Sequence, residues 1–158
     1  MSNNCVFYLE DTLDPKKRRV LINRIVRHLK PIASTFDAIA VRGLSGMLVG
    51  PEVAGRLSKQ IVVVRKNDDL TTHSGHRVEG SPGSSYIILD DLVDTGKTVD
   101  LIRARIADKS AAKCVGIYTY FHPQKNPHLT YSGIPYIVNA TDDKNANAKC
   151  GGYMAKWL

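Results

Sequence analysis

The chain has no apolar run long enough to cross a bilayer, and Met1 to Glu10 shows no basic region leading into an apolar stretch. Neither a membrane span nor a secretory leader is therefore expected, and we expect a soluble, cytoplasmic protein. Cysteine is scarce: Cys5, Cys114 and Cys150 are the three, far apart and without a Cys-x-x-Cys pair, and they read as reduced bystanders. Asn139-Ala140-Thr141 fits the glycosylation acceptor pattern, but that chemistry needs secretion. Internal repeats and low-complexity tracts are absent. Acidic residues are in deficit, 15 Asp and Glu against 22 Lys and Arg, for a formal charge of +7. That balance suits a polyanionic ligand without deciding between an enzyme and a nucleic-acid binder. A length of 158 residues fits one domain, 1–158.

What the chain does have is alternation. Phe36 to Val41, Gln60 to Val64, Tyr86 to Leu89, Lys113 to Phe121 and Ile134 to Val138 read as strands, with Gly50 to Ser58 and Val99 to Lys109 as crossover helices. Strand, helix, strand predicts an α/β fold with a mainly parallel sheet flanked by helices, whose ligands sit at strand carboxyl ends. Lys16-Lys17-Arg18-Arg19 with Arg24, Arg27 and Lys30, interleaved with Val20, Leu21, Ile22, Ile25, Val26 and Leu29, makes an amphipathic basic helix. Asp14 caps it, Pro15 takes its first position and Pro31 lies at its end.

Tyr86 to Thr98 carries the chemistry. The apolar strand Tyr86-Ile87-Ile88-Leu89 ends in Asp90 and Asp91, whose adjacent carboxylates can accept hydrogen bonds from vicinal sugar hydroxyls. Asp94-Thr95-Gly96-Lys97-Thr98 then places a Gly and two hydroxyls just before a helical pattern, so backbone N–H groups and the helix dipole converge on one anion. Gly96-Lys97-Thr98 also ends the Walker A pattern, but that pattern needs Gly where Asp91 stands. An ordinary helix capped by Asp94 or Thr95 is the plainer alternative.

An apolar strand, an acidic pair and a Thr-Gly-x-Thr loop together resemble the PRPP-binding signature of type I phosphoribosyltransferases. The resemblance implies that Asp90 and Asp91 bind the ribose hydroxyls and that Asp94, Thr95, Gly96, Lys97 and Thr98 bind the 5-phosphate. The leading Asp of this loop is similar to the hypoxanthine-guanine branch, which makes Asp94 a candidate acid or base for a proton on the purine. Ala40-Val41-Arg42-Gly43-Leu44-Ser45-Gly46 resembles the pyrophosphate loop in its adenine-branch form, with Gly43 and Gly46 permitting close backbone approach to an anion. The family often holds that loop with a cis peptide, and the sequence leaves this open for Val41 to Gly43.

Residues 65–85, rich in Gly, Ser, Thr, Asp and Asn, correspond to the family's mobile flap. Arg65 and Lys66 at its base resemble the adenine and orotate branches and are implied to meet pyrophosphate together with Arg42 and Gly43. Asp69 and Thr71 replace the orotate branch's further Lys and His, and His73 and His76 read as exposed loop residues. The base site is drawn from Tyr136, Ile137 and Val138, with hood elements in the N-terminal segment and 122–158; Lys125 is the one residue placed to substitute for the lysine that reads the oxygen of a 6-oxopurine. The resemblance further implies Mg²⁺ near Asp90 and Asp91, held mainly through PRPP and water, and a homodimer. The expected activity is transfer of the phosphoribosyl group to a purine. The alternatives are a PRPP-sensing regulator binding nucleic acid through the basic helix, or a transferase with an unusual acceptor.

Overall fold

Apolar periodicity builds two faces onto one sheet. The structure, a computed structural model, describes residues 9–66, 75–121 and 130–137. A short helix α1 (Glu10–Leu13) leads into α2 (Pro15–Leu29), which runs into a 3-10 turn over Lys30–Thr35. Next come β1 (Ala38–Arg42), α3 (Gly43–Arg56), β2 (Gln60–Val64), β3 (Val78–Glu79), β4 (Ser85–Asp90), α4 (Lys97–Ala107) and β5 (Lys113–Thr119). A hairpin of β6 (Thr130–Tyr131) and β7 (Ile134–Pro135) follows. The main sheet is five-stranded in the order β3-β2-β1-β4-β5, parallel except for β3.

Alternation along the strands sorts side chains between two cores, because successive residues of a strand point to opposite faces. Ile39, Val41, Ile87 and Leu89 join Ile22, Ile25 and Leu29 of α2 and Val49 and Val53 of α3 on one face. Ala38, Ala40, Tyr86 and Ile88 join Val99, Ile102 and Ile106 of α4 on the other. The strands are thus buried on both sides, which explains why they read as near-continuous apolar runs.

The α2 helix begins as its sequence requires: Asp14 Oδ1 accepts from the N–H groups of Lys16 and Lys17, both at 2.8 Å, with Pro15 at the first position. Three of its cations are committed inside the fold. Lys17 pairs with Glu10, Arg18 donates to the Thr12 carbonyl at 2.9 Å and Arg24 to the Tyr120 carbonyl at 2.8 Å.

Several elements depart from the sequence reading. The crossover helix starts at Gly43 rather than Gly50 and carries Pro51 in its interior. Gly, Gly and Pro are poor helix formers; packing overrides them. A Cβ at Gly46 would lie 2.8 Å from Val41 Cβ, and one at Gly50 2.7 Å from Val41 Cγ1, so this Gly-x-x-x-Gly face lets the helix press onto β1. Gly46 is buried in that contact and does not line the cleft described below, which corrects its expected role in approaching an anion. The 65–85 segment contains β3, which pairs antiparallel with β2. Of the expected strand Ile134 to Val138, the described residues do not form one sheet strand: Ile134–Pro135 pairs with β6, and Tyr136 then bridges Ile117 in parallel. No helix among the described residues is long and apolar enough to cross a membrane.

Candidate active site

Topology decides where the site lies. From β1 the chain passes through α3 to β2 on one side, then returns to lay β4 against the other side of β1, and α4 covers the opposite face. The strand order reverses at the carboxyl ends of β1 and β4, where a crevice opens between diverging connections. Register brings the ends level: Arg42 pairs with Val64, and Ala40 with Ile88. Arg42, Lys66 and Asp90 accordingly share one edge of the sheet.

A cleft of about 390 Å³ occupies that crevice, lined by Arg42, Gly43, Leu44, Ser45, Lys66, Asp90 to Val99 and Leu9. Asp90 is only 5% exposed. Ser45 Oγ donates to its Oδ1 at 3.1 Å and the Asp91 N–H to the same oxygen at 2.9 Å. Asp91 in turn accepts from the Leu92 N–H at 2.8 Å. The N–H groups of Tyr120 and Phe121, just past β5, donate to the carbonyls of Asp90 and Asp91, extending the sheet pairing under the acidic pair. Burial, reinforced by the adjacent Asp91 carboxyl, pushes the Asp90 carboxyl up to about 7, against the opposing pull of the Asp91 N–H and the Ser45 hydroxyl. A carboxylate held there against its own desolvation is a strong acceptor waiting for donors.

The loop after Val93 ends at Gly96, which caps α4 in the left-handed conformation, φ +79°, with no side-chain cap bond. Neither Asp94 nor Thr95 caps the helix; Thr95 Oγ1 makes only a long 3.4 Å contact with the Lys97 N–H. The first helical hydrogen bond runs from Asp100 N–H to the Gly96 carbonyl at 3.0 Å, so the preceding N–H groups have no intrahelical partner. Backbone N–H groups without an intrahelical partner beside Thr95 and Thr98 suit an anion. A Cβ on Gly96 would lie 2.0 Å from Tyr131 Cζ, and Tyr131 Oη donates to Asp100 at 2.7 Å. Tyr131 is absent from the cleft lining, so it braces the loop from outside.

On the opposite wall, Gly43 adopts φ +73° and the Lys66 stem crosses it, with Cε 3.1 Å from where a Cβ would stand. Every peptide bond among the described residues is trans. Arg42 and Lys66 thus flank a backbone stripped of side chain, a surface that suits a dianionic group.

The structure brings Arg42, Gly43, Lys66, Asp90, Asp91, Asp94, Thr95, Gly96, Lys97 and Thr98 into one cleft. It leaves Arg65 out, paired with Glu79 at 3.2 Å across β2 and β3. Tyr136 is buried beside β5, and Ile137 packs against the core with its N–H on the Ile117 carbonyl at 2.7 Å, so both serve the fold. Val138, His73 and Lys125, with Cys5 and Cys150, lie outside the described residues, while His76 is an exposed loop residue. Sequence reading missed Ser45, Tyr120 and Tyr131. Ser45 had a signal, a hydroxyl on the first turn after the glycine loop; Tyr131 had none, being remote from Gly96 in the chain.

No family model matches the sequence. The chain is 31% identical over 147 residues to the orotate phosphoribosyltransferase of Campylobacter jejuni, covering 90% of this chain and 67% of that one. The chain belongs to the type I phosphoribosyltransferase family. The adenine phosphoribosyltransferase of Bifidobacterium longum subsp. infantis is 33% identical over 102 residues, 63% of this phosphoribosyltransferase and 53% of the relative, so the chain spans about half of that protein. Among solved structures, the adenine phosphoribosyltransferase of Saccharomyces cerevisiae aligns with TM-score 0.56 at 22% identity, over 70% of this chain and 71% of that one. The orotate phosphoribosyltransferase of Francisella tularensis aligns with TM-score 0.59 at 10% identity, over 88% and 64%. Both share the fold.

Proposed function

We propose that this phosphoribosyltransferase moves the 5-phosphoribosyl group of PRPP to a ring nitrogen of a purine, releasing pyrophosphate and a nucleoside 5′-monophosphate. One observation carries the reading: an acidic pair, an uncapped helix N-terminus and a cationic glycine loop meet in a single cleft at the strand-order reversal. Asp90 and Asp91 accept from the ribose hydroxyls. The N–H groups that open α4, with Thr95 and Thr98, hold the 5-phosphate. Arg42, Lys66 and the Gly43 backbone take the pyrophosphate, while Arg65 stays with Glu79. Holding the sugar between two anion sites aligns C1 for displacement, and the cations stabilise the charge that gathers on the leaving group as the ring takes on oxocarbenium character. Asp94, exposed on the cleft wall, handles the proton on the base.

The donor chemistry fits Mg²⁺. Asp90 and Asp91 would hold it, and among the described residues no group of three or more His, Cys, Asp or Glu is arranged as a metal cage. Such sparse protein ligation suits an ion whose shell is completed by substrate oxygens and water. When bound, the ion supplies neutralisation of the departing pyrophosphate charge.

Orotate is the second acceptor to weigh, favoured by the long match to the Campylobacter jejuni enzyme. The test is incubation with PRPP, Mg²⁺ and adenine, guanine, hypoxanthine, xanthine, orotate, uracil or nicotinamide, read by mass spectrometry. A purine nucleotide supports the proposal, and orotidylate alone replaces the purine with orotate. No product despite PRPP binding overturns both and points to an unusual acceptor or to a regulator, which a PRPP-sensitive, salt-steep gel shift would reveal. Light scattering checks the expected homodimer.

A further inference from the structure

The two halves of the cleft are built on different elements, yet one side chain joins them. The pyrophosphate half stands on β1 and the first turn of α3, through Arg42 and Gly43; the ribose half stands on the end of β4, through Asp90 and Asp91. Ser45 belongs to the first of these by chain position and to the second by contact, since its hydroxyl donates to Asp90 Oδ1 at 3.1 Å. That oxygen also takes the Asp91 N–H at 2.9 Å. Ser45 and the Asp91 N–H thus meet on one carboxylate oxygen, while the Asp91 carboxyl lies beside the Asp90 side chain.

Ser45 is itself held from behind. Tyr120 Oη donates to the Ser45 carbonyl at 3.0 Å, and the Tyr120 carbonyl takes Arg24 Nη2 at 2.8 Å. Tyr120 is only 3% exposed. The Tyr120 bond fixes the backbone that carries Ser45, and this anchor runs to the buried side of the sheet.

We infer that Ser45 is a positioning residue that couples the pyrophosphate half of the cleft to its ribose half. The inference rests on the phosphoribosyltransferase reading of the cleft. An anion drawn onto Arg42, Gly43 and Lys66 further steadies the first turn of α3, which carries Ser45, and so strengthens the hydroxyl's existing hold on the Asp90 carboxylate in the orientation that receives ribose hydroxyls. Coupling of this kind is reciprocal: ribose 5-phosphate tightens pyrophosphate as much as pyrophosphate tightens ribose 5-phosphate. A hydrogen bond from a hydroxyl to a buried carboxylate is strong enough to carry a coupling factor on the order of tenfold.

The test is calorimetric titration of ribose 5-phosphate and of pyrophosphate, alone and each in the presence of the other, at fixed Mg²⁺, on the wild type and on Ser45→Ala, Ser45→Thr and Tyr120→Phe. The expected result is that pyrophosphate tightens ribose 5-phosphate roughly tenfold in the wild type. Ser45→Ala should lose that enhancement while keeping its affinity for pyrophosphate alone, Ser45→Thr should restore it, and Tyr120→Phe should lose part of it. An enhancement unchanged in Ser45→Ala overturns the inference, as does a Thr variant that behaves like the Ala variant. If Ser45→Ala does not fold, an enhancement unchanged in Tyr120→Phe overturns it instead. A wild type that binds neither ligand overturns the reading of the cleft, and the inference with it, and is distinguishable from the preceding outcomes because no variant is needed to see it.

Discussion

Asp90→Asn should make the protein more stable at alkaline pH while ending its use of PRPP. The Asp90 carboxyl stands at about 7 against an ordinary value of 3.8, chiefly because it is buried and secondly because Asp91 adjoins it. The native state therefore binds this proton more tightly than the unfolded chain does, so stability falls as pH rises from about 4 to about 7 and the penalty is complete above that. At about 1.4 kcal/mol for each tenfold gain in proton affinity, the full cost of ionising the buried group is on the order of 4 kcal/mol. Asparagine imitates the protonated carboxyl: its Oδ1 still accepts from Ser45 and the Asp91 N–H, and it has no charge to desolvate. Thermal unfolding in a chelator, without PRPP, should show the variant ahead by about 1 kcal/mol at pH 4.5 and by about 3 to 4 kcal/mol at pH 8.5. For a chain of this length the second figure is on the order of 10 °C in Tm. A gap that is the same at both pH values, or a variant less stable at pH 8.5, refutes the account of Asp90 as a charge kept for a ligand at the expense of the fold.

Asp94→Ala should lower kcat by about a hundredfold with PRPP affinity retained, measured by steady-state kinetics; an equal loss of PRPP binding would make Asp94 a loop-shaping residue instead. Gly96→Ala should destabilise by about 2 kcal/mol or more, because a left-handed residue acquires a Cβ that overlaps the Tyr131 ring, and adding Tyr131→Ala should recover the overlap part but not the backbone part in denaturant melts. Gly50→Ala should cost about 1 to 3 kcal/mol by forcing α3 off Val41, with little change in KM for PRPP, and a neutral result would show that the helix has slack there.

That the acidic pair and the Gly96 loop line one cleft was legible because both lie within one local stretch, along a strand, a turn and a helix. The helix Pro15–Leu29 and the strand Gln60–Val64 were legible for the same reason, through a cap, a proline and a period. The start of α3 was not. Gly43, Gly46, Gly50 and Pro51 argue locally against a helix, and tertiary packing, the close seat on Val41 and the burial of Val49 and Val53 included, stabilises one. Arg65 shows the converse: a basic residue beside Lys66 looks equivalent in sequence, but strand alternation turns it toward Glu79, a partner that appears only when β3 pairs with β2.

By itself the sequence determined the elements whose signals are short-ranged, the parallel α/β class, and the placing of the acidic pair and the Gly96 loop side by side, because each depends on neighbours within a few residues. Tertiary structure alone decided that Arg42 and Lys66 face Asp90 across one crevice, that Ser45 holds the Asp90 carboxyl, and that Tyr131 braces Gly96. Those contacts join residues from separate crossovers of the sheet, and strand order, which no local pattern encodes, is what brings them within reach of a hydrogen bond.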